Sequence, residues 1–414
     1  MRPVTGAGEG SAGEERHAGE CIALPRAVVT PRTHLPRAGP RGTLAAVNFS
    51  ELLATQVERG ASDIHLHVGL PPLVRINGRL TPVGDARLTP AVTEKLVDLM
   101  CDERQKRLFS ERFQVDLAYS VPGLARFRTN LFRQRGSVSA VMRVITSDAE
   151  RLRVVNLPQD TIDFFRDKEQ GIVLVTGPTG SGKSTTLARI LDEINQVHNK
   201  MVVAVEDPIE YLHRSKKSVI VQREIGVDAT TFADSLVAAM RQDPEVIMIG
   251  EIRDYATANA AISAAQTGHL VFSTLHTQDT VRTINRMLEL FPPHERTTAR
   301  ILFAESLVGI VSQRLVPRAD RPGRVAAMEI LKGTLRVKDL IRDEDRTTEL
   351  YEAISDSSLD GMQLLDAHLA RLYADGIISY EVGLASATSA QAFKMASTQI
   401  DIEAGRDPRA TQQY

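Results

Sequence analysis

Gly177-Pro178-Thr179-Gly180-Ser181-Gly182-Lys183-Ser184 has the spacing G-x-x-x-x-G-K-[ST], a pattern whose chemistry is phosphate binding. Glycines so placed let successive backbone N–H groups turn inward around phosphate oxygens. Lys183 can then reach the β- and γ-phosphates, and Ser184 can ligate Mg²⁺. The loop follows a short apolar run, 171–176, and opens a helical stretch at Thr185. A helix N-terminus therefore adds partial positive charge beneath the anion. Residues 177–185 are expected to hold ATP with Mg²⁺.

Hydrolysis needs acids beyond the phosphates, and two short apolar runs end in them. Residues 202–205 lead into Glu206-Asp207-Pro208-Ile209-Glu210, and 246–249 into Gly250-Glu251-Ile252-Arg253-Asp254. In a parallel sheet these ends face the same crevice as the phosphate loop. The second run resembles a Walker B strand in which Gly250 stands where the Mg²⁺-linked Asp is usual. Glu251 is then left to polarise the attacking water. Glu206 and Asp207 are expected beside Ser184 at the metal. Single acids at strand ends also suit solvated turns, but two clusters downstream of one phosphate loop favour chemistry. A further run, 270–273, continues into Thr274-Leu275-His276-Thr277 and brings His276 to the same edge, in reach of a γ-phosphate. Arg126, Arg128, Arg133, Arg135 and Arg143 form a basic cluster. By pattern alone they read as a solvated strand face.

The elements that must position these groups fall into two textures. Residues 47–145 read as an α+β domain with an antiparallel sheet: a helix at 50–59, strands at 63–68 and 73–76, a helix at 90–109, then strands at 115–121, 125–132 and 138–145. A polar connector, 146–158, follows. From 159 to 334, buried apolar strands at 171–176, 201–205, 246–249 and 270–273 alternate with helical stretches, which argues for a mostly parallel sheet covered on both faces. After Pro317 the chain reads as largely helical, with a small bundle at 335–395 and a flexible tail at 396–414. Residues 1–45 hold seven Gly and five Pro with no sustained period. They read as a disordered tail, or as sequence ahead of the true start near Val47, so residues 1–46 are set apart from the domains.

Composition narrows the class. Fifty basic and 52 acidic side chains leave a charge of −2, which removes any whole-chain electrostatic case for nucleic acid. Cys21 and Cys101 lie far apart and offer neither a disulfide framework nor a thiolate metal site, which fits a reducing cytosol. No apolar run approaches the roughly 18 residues of a membrane span.

Across about 49–395 the sequence resembles the PilT family, the type IV pilus retraction motors of the secretion-ATPase superfamily. The resemblance rests on Ala61-Ser62-Asp63-Ile64-His65-Leu66, the phosphate loop, Glu206-Asp207-Pro208-Ile209-Glu210 as an Asp box, Gly250-Glu251-Ile252-Arg253-Asp254 as a Walker B, and Thr267-Gly268-His269 through Thr277 as a His box. It implies a PAS-like N-terminal domain, a RecA-like ATPase domain and a homohexameric ring, cytoplasmic and peripheral at the inner-membrane pilus base. A platform protein there, and a paralogous retraction ATPase, are the partners it implies. Nucleotide would lie between the domains, with Arg128 and Arg143 reaching the γ-phosphate and Glu210, Glu251 and His276 as catalytic acids and histidine. The family's Ala-Ile-Arg-Asn-Leu-Ile-Arg-Glu motif reads here Arg336-Val337-Lys338-Asp339-Leu340-Ile341-Arg342-Asp343, a departure that keeps an accessory, PilU-like role open. Assembly ATPases of the pilus or type II secretion class usually carry paired Cys-x-x-Cys zinc ligands, which this sequence lacks.

Overall fold

The computed structural model describes residues 49–405 apart from 77, 123, 146–151, 153 and 154. The expectations for 1–46 and for much of the connector 146–158 lie outside the described residues. Six antiparallel strands form the first sheet: β1 (Asp63–Leu66), β2 (Leu73–Ile76), β3 (Arg79–Pro82), β4 (Gln114–Val121), β5 (Ala125–Gln134) and β6 (Ser137–Ile145), in the order β3-β2-β1-β6-β5-β4. Alternation along β5 and β6 buries Phe127, Leu131, Ala140 and Met142 under Leu53 and Leu96 of the helices Phe49–Glu58 and Pro90–Met100. Arg128 and Arg143 are cross-strand partners and share the opposite face. The single helix expected over 90–109 is two. Asp102 accepts from the Gln105 N–H at 2.7 Å while its own N–H donates to Gln105 Oε1 at 3.0 Å, and this reciprocal cap starts a second helix, Glu103–Arg112.

The second sheet holds β7 (Gly171–Thr176), β8 (Met201–Glu206), β9 (Val219–Glu224), β10 (Val246–Ile249), β11 (Leu270–Leu275), β12 (Leu307–Pro317) and β13 (Arg324–Lys332), in the order β13-β12-β7-β11-β10-β8-β9. All pairs are parallel except β12–β13. Every residue of β7 is buried, because helices cover both faces of the sheet centre. Ile172 and Leu174 pack into one apolar cluster and Val173 and Val175 into another. The parallel register sets the ends of β7, β8, β10 and β11 along one edge.

The sheet is wider than the sequence pattern suggested. β9, β12 and β13 were not foreseen, and the chain after Pro317 is not yet helical. It returns as β13, which pairs with β12 from Gly309↔Lys332 to Pro317↔Arg324. The outer side of β13 is closed by the helical region that follows. Ile330 exchanges backbone hydrogen bonds with Gln363, the Met328 N–H donates to His368 Nδ1 at 2.9 Å, and Gln363 Nε2 donates to Met328 O at 3.0 Å. That region does not end at 395. The helix Ala390–Glu403 is capped by Ser389, which accepts from the Ala392 N–H, and it buries Phe393, Ser397 and Asp401, so residues 396–403 are packed helix rather than tail.

Candidate functional site

At the shared carboxyl edge of the second sheet lies a crevice of about 580 Å³. The loop after β7 forms its floor. Gly177 adopts φ +145°, and a Cβ there would stand 2.1 Å from Gln313 O and 2.6 Å from Ser181 Oγ, so no larger residue fits this turn. The helix Lys183–Val197 begins directly after the loop and points its N-terminus into the crevice. Lys183 is buried, and its ammonium donates to Gly177 O at 2.9 Å and Pro178 O at 3.1 Å. Burial pulls its pKa below the usual lysine value, against the opposing field of Glu210 and Glu251.

The two expected acid clusters arrive from the ends of β8 and β10. Glu206, Asp207, Glu210 and Glu251 all line the crevice, as do Thr179, Gly180, Gly182, Lys183, Ser184, Thr185 and His276. Glu251 Oε1 pairs with Arg253, while Oε2 faces His276 Nε2 at 3.4 Å and accepts no hydrogen bond among the described residues. His276 Nδ1 lies 3.5 Å from the Lys183 ammonium. The imidazole thus stands between the ammonium and the carboxylate, one ring nitrogen toward each. A Cβ at Gly250 would stand 3.4 Å from Val205 O, an ordinary contact, so space alone does not demand glycine there.

The three residues expected at a metal differ in their surroundings. Ser184 and Asp207 offer hard oxygens to the crevice, the donor type that suits Mg²⁺. Glu206 fits less well, because both of its oxygens are engaged. Oε1 accepts from Gln222 Nε2 at 3.0 Å and Oε2 from the Glu210 N–H at 3.2 Å, and burial pushes its carboxyl up to about 7. Among the described residues no group of three or more His, Cys, Asp or Glu is placed to hold a metal ion. A cation here would therefore rely on Ser184, Asp207 and the phosphates themselves.

The arginines divide. Arg128 lines the crevice. Arg143 does not; its Nε donates to Asp63 Oδ1 at 2.9 Å across the β1–β6 pairing, with the side chain otherwise exposed. Gly177, Pro178 and Ser181 shape the loop from behind rather than lining the cavity. Sequence reasoning missed Gln313, which the β12–β7 register (Ser312↔Thr176) sets beside the loop. Its Nε2 donates to Ser181 O at 2.7 Å and its Oε1 accepts from Thr186 Oγ1 at 2.8 Å, so one buried amide pins both the loop and the first turn of its helix. Only pairing between distant strands reveals it.

A glycine-rich loop after a buried central strand, with acids and a histidine from three neighbouring strand ends, has the form of an α/β protein built to hold phosphates. The chain belongs to the family described as Type II/IV secretion system protein, which matches residues 47–353. It is 41% identical over 335 residues to the "Type IV pilus retractation ATPase PilT" of Pseudomonas aeruginosa, covering 81% of this chain and 96% of that one. It is 37% identical over 349 residues to the "Type IV pilus ATPase PilU" of the same organism, covering 84% and 91%. The crystal structure of the pilus retraction motor PilT with bound ADP matches with a TM-score of 0.77 at 41% identity, covering 84% of this chain and 98% of that one.

Proposed function

We propose that this chain is a Mg²⁺-dependent ATPase, a RecA-like domain joined to a PAS-like N-terminal domain, that acts as a homohexameric motor of type IV pilus retraction. The observation that carries the chemistry is the convergence of Lys183, Glu251 and His276 on one crevice. The names of the relatives support the pilus assignment, and an inner-membrane platform protein is the partner that this assignment calls for.

In this reading the loop N–H groups and Lys183 cradle the phosphates, and Lys183 leaves the carbonyls of Gly177 and Pro178 to follow the charge that develops on the γ-phosphoryl group. Ser184 and Asp207 would hold a Mg²⁺ ion, which would supply charge neutralisation at the phosphates. Glu251 Oε2 is free to accept a proton from, or orient, the attacking water, while Arg253 fixes the other oxygen. His276, between that carboxylate and the Lys183 ammonium, is placed to contact the phosphate that Lys183 binds. Glu210, exposed at the rim, and Arg128, from the first domain, complete the charge balance. Arg143 joins them only once its bond to Asp63 opens. The test is phosphate release from ATP with and without Mg²⁺, for the parent and Lys183→Ala. Release by the parent alone, and only with Mg²⁺, is the expected result.

A second reading, an accessory ATPase beside a principal retraction motor, is favoured by one feature. In the helix Leu335–Arg342, Lys338 reaches Glu305 O at 2.7 Å and Asp339 pairs with Arg342 at 2.6 Å, so two of the five positions that depart from the retraction motif are engaged locally. Restoring pilus retraction in cells that lack their own motor, with this chain alone or only together with a second retraction ATPase, separates the two.

A further inference from the structure

One carboxylate oxygen joins the first sheet to the loop that carries the acids. Glu224, at the end of β9 and 4% exposed, accepts from Arg126 Nη2 at 2.7 Å and from the Ile209 N–H at 3.2 Å, both on Oε2. Arg126 stands on β5 one register step from Arg128 along the same face. Ile209 is buried and directly precedes Glu210. The corner is tied on all sides. The Ile225 N–H donates to Glu206 O at 2.8 Å, the Glu210 N–H to Glu206 Oε2 at 3.2 Å, and Arg104 Nη1 to Gly226 O at 3.0 Å. A buried carboxylate with one charged partner gains much of its stability there from that partner, since solvent does not screen the pair. Withdrawing Arg126 therefore changes the hydrogen bond that the same oxygen makes to Ile209.

We infer that Arg126 and Glu224 are positioning residues that link the placement of the N-terminal domain to the setting of the 207–210 loop, and through it to Glu210 in the crevice. Neither touches the reacting atoms. When the first domain shifts, Arg126 leaves Glu224, the Ile209 anchor weakens and Glu210 loses its fixed position. The inference rests on the ATPase reading only for the role of Glu210; the mechanical link stands on the geometry.

The experiment uses the full chain with Arg126→Gln, Arg126→Lys and Glu224→Gln. Amide hydrogen exchange across residues 207–211 is read in parallel with kcat and with the affinity for a fluorescent ADP analogue. Arg126→Gln is expected to speed exchange at 207–211 by about tenfold, the scale of one hydrogen bond to a charged group. It should lower kcat by roughly 10–100-fold, the effect of a displaced catalytic group, while ADP affinity holds. Arg126→Lys, which keeps a charged donor for the single Nη2 contact, restores both. A lysine would not rescue a planar phosphate contact. Unchanged exchange at 207–211 in folded Arg126→Gln overturns the inference, as does an affinity loss matching the loss of kcat. If Arg126→Gln fails to fold, Glu224→Gln keeps an oxygen for Ile209 while weakening the hold of Arg126, and must show the same exchange change. A parent chain without turnover would sink the ATPase reading alone, because exchange is measured without hydrolysis.

Discussion

Glu251 holds one oxygen against Arg253 and leaves the other toward His276, and that asymmetry predicts how its loss reads out. Glu251→Ala removes the water-orienting carboxylate but not the phosphate cradle, so turnover should fall at least about 100-fold while nucleotide affinity changes little. Separate measurement of ATP binding and of rate checks this, and turnover within tenfold of the parent would reassign the residue. Glu206 behaves differently. Its carboxyl, pushed up to about 7 by burial, binds a proton in the folded chain that the unfolded chain has already lost above its ordinary value near 4.5. Stability should therefore fall as pH rises from about 4.5 to about 7, by up to roughly 3 kcal/mol, and stay level above that. Glu206→Gln should flatten this slope in nucleotide-free protein, read by urea midpoints across pH. The loop, the acids and His276 were legible in the sequence because each motif is contiguous and its strand is short and apolar. Gln313 was not, since it lies 132 residues from its partner Ser181 and sits in an otherwise ordinary apolar strand.

Elements carry the same lesson at a larger step. β7, β8, β10 and β11 announce themselves as runs of Val, Ile and Leu, whereas β9 is half exposed and β12 and β13 are apolar runs interrupted by Ser312-Gln313-Arg314 and by Glu329, so neither periodicity identifies them. The close approach of β12 to the phosphate loop makes Gly177→Ala a severe change: backbone must move by over an ångström, and nucleotide binding should be lost while the far sheet of the first domain still folds. Nucleotide titration alongside circular dichroism checks it. The bond between β13 and the helix Leu365–Ala374 is pH-dependent. Burial drives the His368 pKa down to about 4, so the ring is neutral and accepts from the Met328 N–H. This contribution is complete above about 6.5 and is lost as pH falls toward 4, again by up to roughly 3 kcal/mol. It opposes the Glu206 trend between about 4.5 and 6.5. Thermal melts of His368→Gln and Glu206→Gln, each against the parent, are expected to tilt the pH profile in opposite directions.

At the scale of the whole molecule, the proposed ring makes two demands. Light scattering should return sixfold the 45.4 kDa chain mass in the presence of nucleotide. The first domain must also supply charge to a crevice in the second. The double variant Arg128→Lys, Arg143→Lys tests the latter; a loss of roughly 10³-fold or more in rate with the fold intact is expected if both reach the transferred phosphoryl group. A folded variant as fast as the parent would return both to the role of surface residues. The two sheets were readable from the change between alternating and continuous apolar runs. The contacts between them were not, because they are written in single side chains such as Arg104 and Arg126. The covered outer side of β13 bears on how this protein fails as well as how it works. Val325 to Leu331 carries a single charge, Glu329, at a sheet margin, and its outward backbone groups are taken up by Gln363 and His368. Protonating one imidazole, or cleaving the chain ahead of Gln363, would bare a margin able to add strands from other copies. Aggregation, followed by light scattering, should then rise as pH falls toward 4, before the sheet beneath has unfolded.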